Sequence, residues 1–226
     1  TSAPNHTTRA WSALALGVLE HERLLGEQRS PPDERLRSEL LTRFDAEQDL
    51  DIRAALAVSM GLARCQPGKN ALRQALDTHR NDDALVGYAC IGLALLGDEA
   101  AIEKMRALLV TVAHRPAVFH QMACALGGLG DIAVPNSLRD ILMSGERTAT
   151  ERLSAIDALV VVGDRRSVHP LLQTWSDLQL PPRVRVRALR ALGRLCDDDP
   201  VPWYRQLAGP TEDSAIALLH ELIDPR

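Results

Sequence analysis

Two places in the 226-residue chain begin the pattern of a helical zinc protease, a His followed at once by the Glu that would activate water. In His21-Glu22 and His220-Glu221, however, Leu25 and Asp224 stand where the second His ligand is required. His114 and His120 lie six residues apart across Pro116, a spacing that does not place two imidazoles on one helical face, and they read as exposed or capping residues. Neither a GxSxG nucleophile turn nor a GxxxxGK phosphate loop occurs, so the signatures of acyl transfer and nucleotide hydrolysis are missing. Gly127, Gly128 and Gly130 imitate a phosphate loop, but no strand precedes them, and they read as packing and capping glycines. Cys65, Cys90, Cys124 and Cys196 form no CxxC pair and no zinc-spaced cluster, which points to buried free thiols and leans toward a cytoplasmic address. The carboxylates at Asp82-Asp83 and Asp197 to Asp199 suit helix N-termini rather than a metal. The residues therefore call for no catalytic centre, metal or cofactor, and the expectation is a protein that is not an enzyme.

The elements behind these residues are helical. Hydrophobic residues make up 46% and charged residues 25%, the balance of a folded chain. Aromatic residues reach only 3% against abundant Ala and Leu, which favours helix and starves a sheet of its preferred side chains. A net charge of −4 excludes a whole-surface footprint for nucleic acid or anionic membrane. No uncharged apolar run reaches the roughly eighteen residues that span a bilayer. The opening TSAPNHTTRA has neither an initiator Met nor a signal-peptide layout, so the chain reads as a piece of a longer one.

Self-comparison is more informative. LALLGD, GGLGD, VVVGD and GRLCD end at Asp98, Asp131, Asp164 and Asp197, each 33 residues after the last, and SMGLARC carries the column back to Cys65. Each period holds two helical patterns. The first supplies the core column Met60, Leu93, Leu126, Leu159 and Leu192. The second supplies Leu72, Met105, Leu138, Leu171 and Tyr204, and four residues later Leu76, Leu109, Leu142, Trp175 and Ala208. At the junction, Gly suits a left-handed helix end and Asp the next N-cap. Five repeats are expected over 51–210. An irregular N-terminal hairpin over 1–50, with an insertion at 22–32, precedes them, and a C-terminal capping helix over 211–226 follows.

LDIRAALAVSMGLA, RVRVRALRALGRL and GDEAAIEKMRALL resemble the HEAT repeat in its short bacterial form, found also in phycobilisome-lyase proteins. The resemblance covers about Thr8 to Leu222. It implies an all-α fold, a right-handed α-α superhelix of antiparallel helix pairs forming one HEAT-like solenoid over 1–226. Arg53, Arg152 and Arg185 match the family's Arg position, whereas Val86 and Phe119 depart from it.

The resemblance further implies that the first helix of each pair lines the concave side. The stripe of that helix not needed for the core holds Val58 and Leu62, then Tyr88, Ile91 and Leu95, then Gln121, then Asp157, and ends in Arg183, Arg187, Arg190 and Arg194. It grades from apolar to basic. These residues predict a scaffold or adaptor that binds a partner protein or peptide, its apolar segment toward Val58, Leu62, Tyr88, Ile91 and Leu95 and its acidic segment toward Arg187, Arg190 and Arg194. A bilin-lyase-like or chaperone-like activity is the second expectation and binding of nucleic acid through the arginines, disfavoured by the net charge, the third. The apolar face of Trp11, Leu14, Leu16 and Leu19 adds self-association through the N-terminal end.

Overall fold

The computed structural model describes residues 6–25 and 31–196. Among them are eleven α-helices and no strand, so the fold class is all-α. Those of the N-terminal region are α1 (His6–Leu25) and α2 (Glu34–Ala46). The first and second helices of the 33-residue period then alternate as α3 (Leu50–Leu62) and α4 (Lys69–Thr78), α5 (Asp83–Leu95) and α6 (Ile102–Thr111), α7 (Pro116–Gly128) and α8 (Val134–Met143), and α9 (Ala149–Val162) and α10 (Val168–Ser176). The last described element is α11 (Pro182–Cys196). The first helices start at 50, 83, 116, 149 and 182, a strict 33-residue step. The second half of the fifth repeat, with Trp203, Tyr204 and Ala208, and the helix expected over 211–226 lie outside the described residues.

Local chemistry sets these boundaries. Asp49 accepts from the amides of Asp51 and Ile52, and Asp82 from that of Leu85. Thr148 and Glu151 form a reciprocal capping box, with Glu151 held down to about 2 by the Thr148 amide and the Arg147 guanidinium. Gly97, Gly130 and Gly163 end their helices at φ of +63°, +75° and +70°, and Arg64 takes the same place at +54°. The α1 helix runs through Leu25, so the first residues of the segment 22–32 are helical. Its partner helix is fixed by Glu20, whose buried carboxylate accepts from the Asp33 amide and from Arg23.

The chain divides into two compact units, with the boundary between Met105 and Arg106 inside α6. In the first unit α1, α3 and α5 lie side by side in one layer, with α2 packed on α3 and α4 on α5. Small residues let this layer close tightly. A Cβ added to Gly92 would stand 2.5 Å from the Ala57 carbonyl oxygen, and one on Gly61 would stand 2.9 Å from the Gly92 Cα. In the second unit α7, α9 and α11 form the first layer, with α8 packed on α9 and α10 on both α8 and α11. Met60, Leu93, Leu126, Leu159 and Leu192 are buried, as are Leu72, Met105, Leu138 and Leu171. Trp175, expected in the core, is instead exposed, because Thr174, three residues after the buried Leu171, takes the inward position on α10.

Two sets of arginines tie consecutive pairs together. Arg73, Arg106 and Arg139 on the second helices each meet the aspartate 25 residues later, Asp98, Asp131 and Asp164. The expected capping role of Asp98 is thereby corrected: its side chain caps no amide and is engaged by Arg73. Arg152 and Arg185 instead reach back ten residues to the end of the preceding helix. Arg152 donates to the carbonyls of Leu142 and Ser144, both at 2.6 Å, and Arg185 to that of Trp175 at 2.9 Å. Arg53 stacks over the Phe44 ring at 4.7 Å. Where Val86 and Phe119 replace this arginine they are buried, so an apolar side chain fills the same space.

Candidate functional site

The stripe behaves differently in the two units. In the first, Val58, Leu62 and Ile91 are buried, which corrects the expectation that they form an exposed apolar patch. The cause is the close approach of α3 and α5 at Gly61 and Gly92, which lets each helix cover its neighbour's stripe. Tyr88 and Leu95 remain half-buried at the edge of this layer. On α1, Leu14 packs inward while Leu16 and Leu19 stay exposed on its outer side.

In the second unit the same columns carry polar groups. On α7, Gln121 is half-buried. On α9, the Asp157 carboxylate accepts from Arg187 of α11, whose Nη1 lies 3.0 Å from Oδ1 and 3.2 Å from Oδ2. Burial pushes the Asp157 carboxyl above the usual range, although Arg187 and Arg194 pull it down. Arg190 and Arg194, three and seven residues beyond Arg187, are exposed on the same side of α11. Among the described residues, neither they nor Arg183 form a hydrogen bond or ion pair. Of the ten residues expected to meet a partner, the structure thus gathers Gln121, Asp157, Arg187, Arg190 and Arg194 on one layer.

No family model matches the chain, and no curated protein matches it.

His120 belongs to this layer and was not expected there. It is 7% exposed, and neither Nδ1 nor Nε2 has a hydrogen-bond partner. Burial, aided by the charge of Arg194, lowers its pKa to about 4, so the ring is neutral near neutral pH. Its column does hold a signal: Ala54, Gly87, Leu153 and Val186 occupy the equivalent places, so an imidazole is the odd member of a nonpolar series. The Arg–Asp pairs were also legible only as two 33-residue series offset by 25. Cys90 and Cys124 are buried with thiols pushed up to about 12, which leaves them protonated and unreactive. Among the described residues no three His, Cys, Asp or Glu gather where they could hold a metal ion. No described helix is long and apolar enough to cross a membrane.

Proposed function

We propose that this protein is a non-catalytic interaction module of the HEAT-like kind, a solenoid that holds an acidic segment of a partner polypeptide on its first helices. One observation carries the reading: Arg190 and Arg194 stand exposed and unpaired along one side of α11, beside an Arg187 with a single acidic neighbour. Exposed cations left without partners are ready to bind carboxylates, because guanidinium can donate two parallel hydrogen bonds to each one. The strict step of the helix starts and the layering of first helices support the repeat architecture behind it. The apolar grip narrows to Tyr88 and Leu95, since their neighbours in the stripe are buried.

Selection of binding peptides from a random display library tests the reading. Enriched sequences rich in Asp and Glu, whose affinity falls with added salt and is lost in the Arg190→Glu, Arg194→Glu double variant, are the expected result. Enrichment without acidic residues, or binding indifferent to the double variant, refutes it. In the same assay Tyr88→Ala lowers affinity without altering the salt dependence if the partner also reaches the first unit, by about 2 kcal/mol for an anchoring aromatic.

A further inference from the structure

We propose that the first layer of the second unit carries a carboxylate-binding site for an extended acidic peptide, and that Asp157 occupies this site in the free protein as an internal substitute for the peptide's carboxylate. The inference rests on the function proposed above and goes further, since it assigns the seat of the ligand and its resident competitor.

Three observations converge. The first is the quality of the Asp157–Arg187 contact. Arg106 grips Asp131 with two different nitrogens, Nε on Oδ2 and Nη2 on Oδ1, the fork that guanidinium and carboxylate form when well matched. Arg187 presents only Nη1, shared by both Asp157 oxygens, and leaves its remaining donors unused. The second observation is charge. Arg187 and Arg194 both act on the Asp157 carboxylate and Arg190 stands exposed on the same helix, so three guanidinium groups are set against one carboxylate and the site keeps unneutralised positive charge. The third is the set of unmet groups on the facing helix. His120 buries both ring nitrogens without a partner, an arrangement that costs free energy unless a ligand or water meets it, and the Gln121 amide beside it makes no hydrogen bond among the described residues. The charge of Arg194 acts on both His120 and Asp157, and the α9 helix that carries Asp157 packs against both α7 and α11. An incoming carboxylate takes the free donors of Arg187 and Arg194, and Asp157 gives up its single shared nitrogen.

Fluorescein-labelled hexaglutamate provides the probe, with binding followed by anisotropy at low and moderate salt. Asp157→Asn removes the competitor and preserves the side-chain shape. It should tighten binding about tenfold, whereas Asp140→Asn, which removes an exposed carboxylate elsewhere in the unit, controls for net charge and should change affinity less than twofold. Asp157→Ser gives the same gain by a second route should the asparagine variant be poorly folded. Wild-type binding with no gain in either Asp157 variant beyond that of Asp140→Asn overturns this inference and leaves the proposed function standing. Absence of binding in the wild type and in both variants overturns both. Displacement of the peptide by an oligothymidylate of equal charge at equal concentration overturns the assignment to a carboxylate ligand.

Discussion

Arg106 holds Asp131 with two parallel hydrogen bonds from one edge of its guanidinium, Nε to Oδ2 at 3.0 Å and Nη2 to Oδ1 at 2.7 Å, across 25 residues of chain. The two partners differ in exposure: the arginine side chain keeps 30% and the aspartate 1%. Removal of the arginine strands a buried carboxylate, whereas replacement of the aspartate by an amide leaves an acceptor for a partly solvated cation. Arg106→Met should therefore destabilise by about 3 kcal/mol and Asp131→Asn by about 1 kcal/mol, measured by urea unfolding. Burial alone would raise the Asp131 carboxyl, but Arg106 and the Ala133 amide hold it lowered. Its contribution is therefore present above the carboxyl's unfolded value and is lost as the pH falls through its depressed folded value.

Arg152 and Arg185 occupy one column and do the same work to different depths. Arg152 is buried and donates to three carbonyls, those of Leu142, Ser144 and Arg147, while Arg185 is half-exposed and meets one. Arg152→Ala should cost about 3 kcal/mol and Arg185→Ala about 1 kcal/mol, because a stranded buried acceptor loses its desolvation free energy in full. Calorimetric melting of both variants checks the order.

His120 sets an acid limit on stability. Its folded value of about 4 lies below the unfolded 6.5, so between these values the unfolded chain binds more protons. Stability contributed by the neutral, buried ring is fully present above pH 6.5 and is lost as the pH falls toward 4, by an amount on the order of 3 kcal/mol. His120→Leu should flatten this part of the pH–stability curve, seen by denaturation at successive pH values. Arg194→Gln should raise the His120 titration midpoint, followed by NMR of the imidazole.

Gly92 and Gly193 are both helical glycines but predict opposite outcomes on gaining a methyl group. At Gly92 the new Cβ meets backbone of α3, whereas at Gly193 nothing lies within 4 Å. Gly92→Ala should destabilise by about 2 kcal/mol or more through overpacking. Gly193→Ala should stabilise by roughly 0.5–1 kcal/mol, because alanine loses less backbone freedom in a helix. Thermal denaturation of the pair resolves the two signs.

Much of the fold was legible because helical periodicity is a local signal. Met60 and its column, and the glycines at 97, 130 and 163, could be assigned from spacing alone. The fate of the stripe was not, since a residue's exposure depends on how near the adjacent helix comes, and that was decided by Ala57, Gly61 and Gly92 rather than by Val58 or Ile91 themselves. Asp98 read as a cap because sequence shows the amides that follow it and hides a guanidinium 25 residues earlier. The exposure of Arg190 and Arg194 was legible because they lie on the face of α11 left over after the core is assigned.

The two arithmetic series, arginines at 73, 106 and 139 and aspartates at 98, 131 and 164, share one step. Excision of any 33 consecutive residues that begins between 74 and 131 brings each surviving arginine back to 25 residues before an aspartate. The breakpoint does not matter. Unequal crossing-over within a gene of this design can lengthen or shorten the array without aligning on a helix boundary, and each product inherits a complete set of clasps.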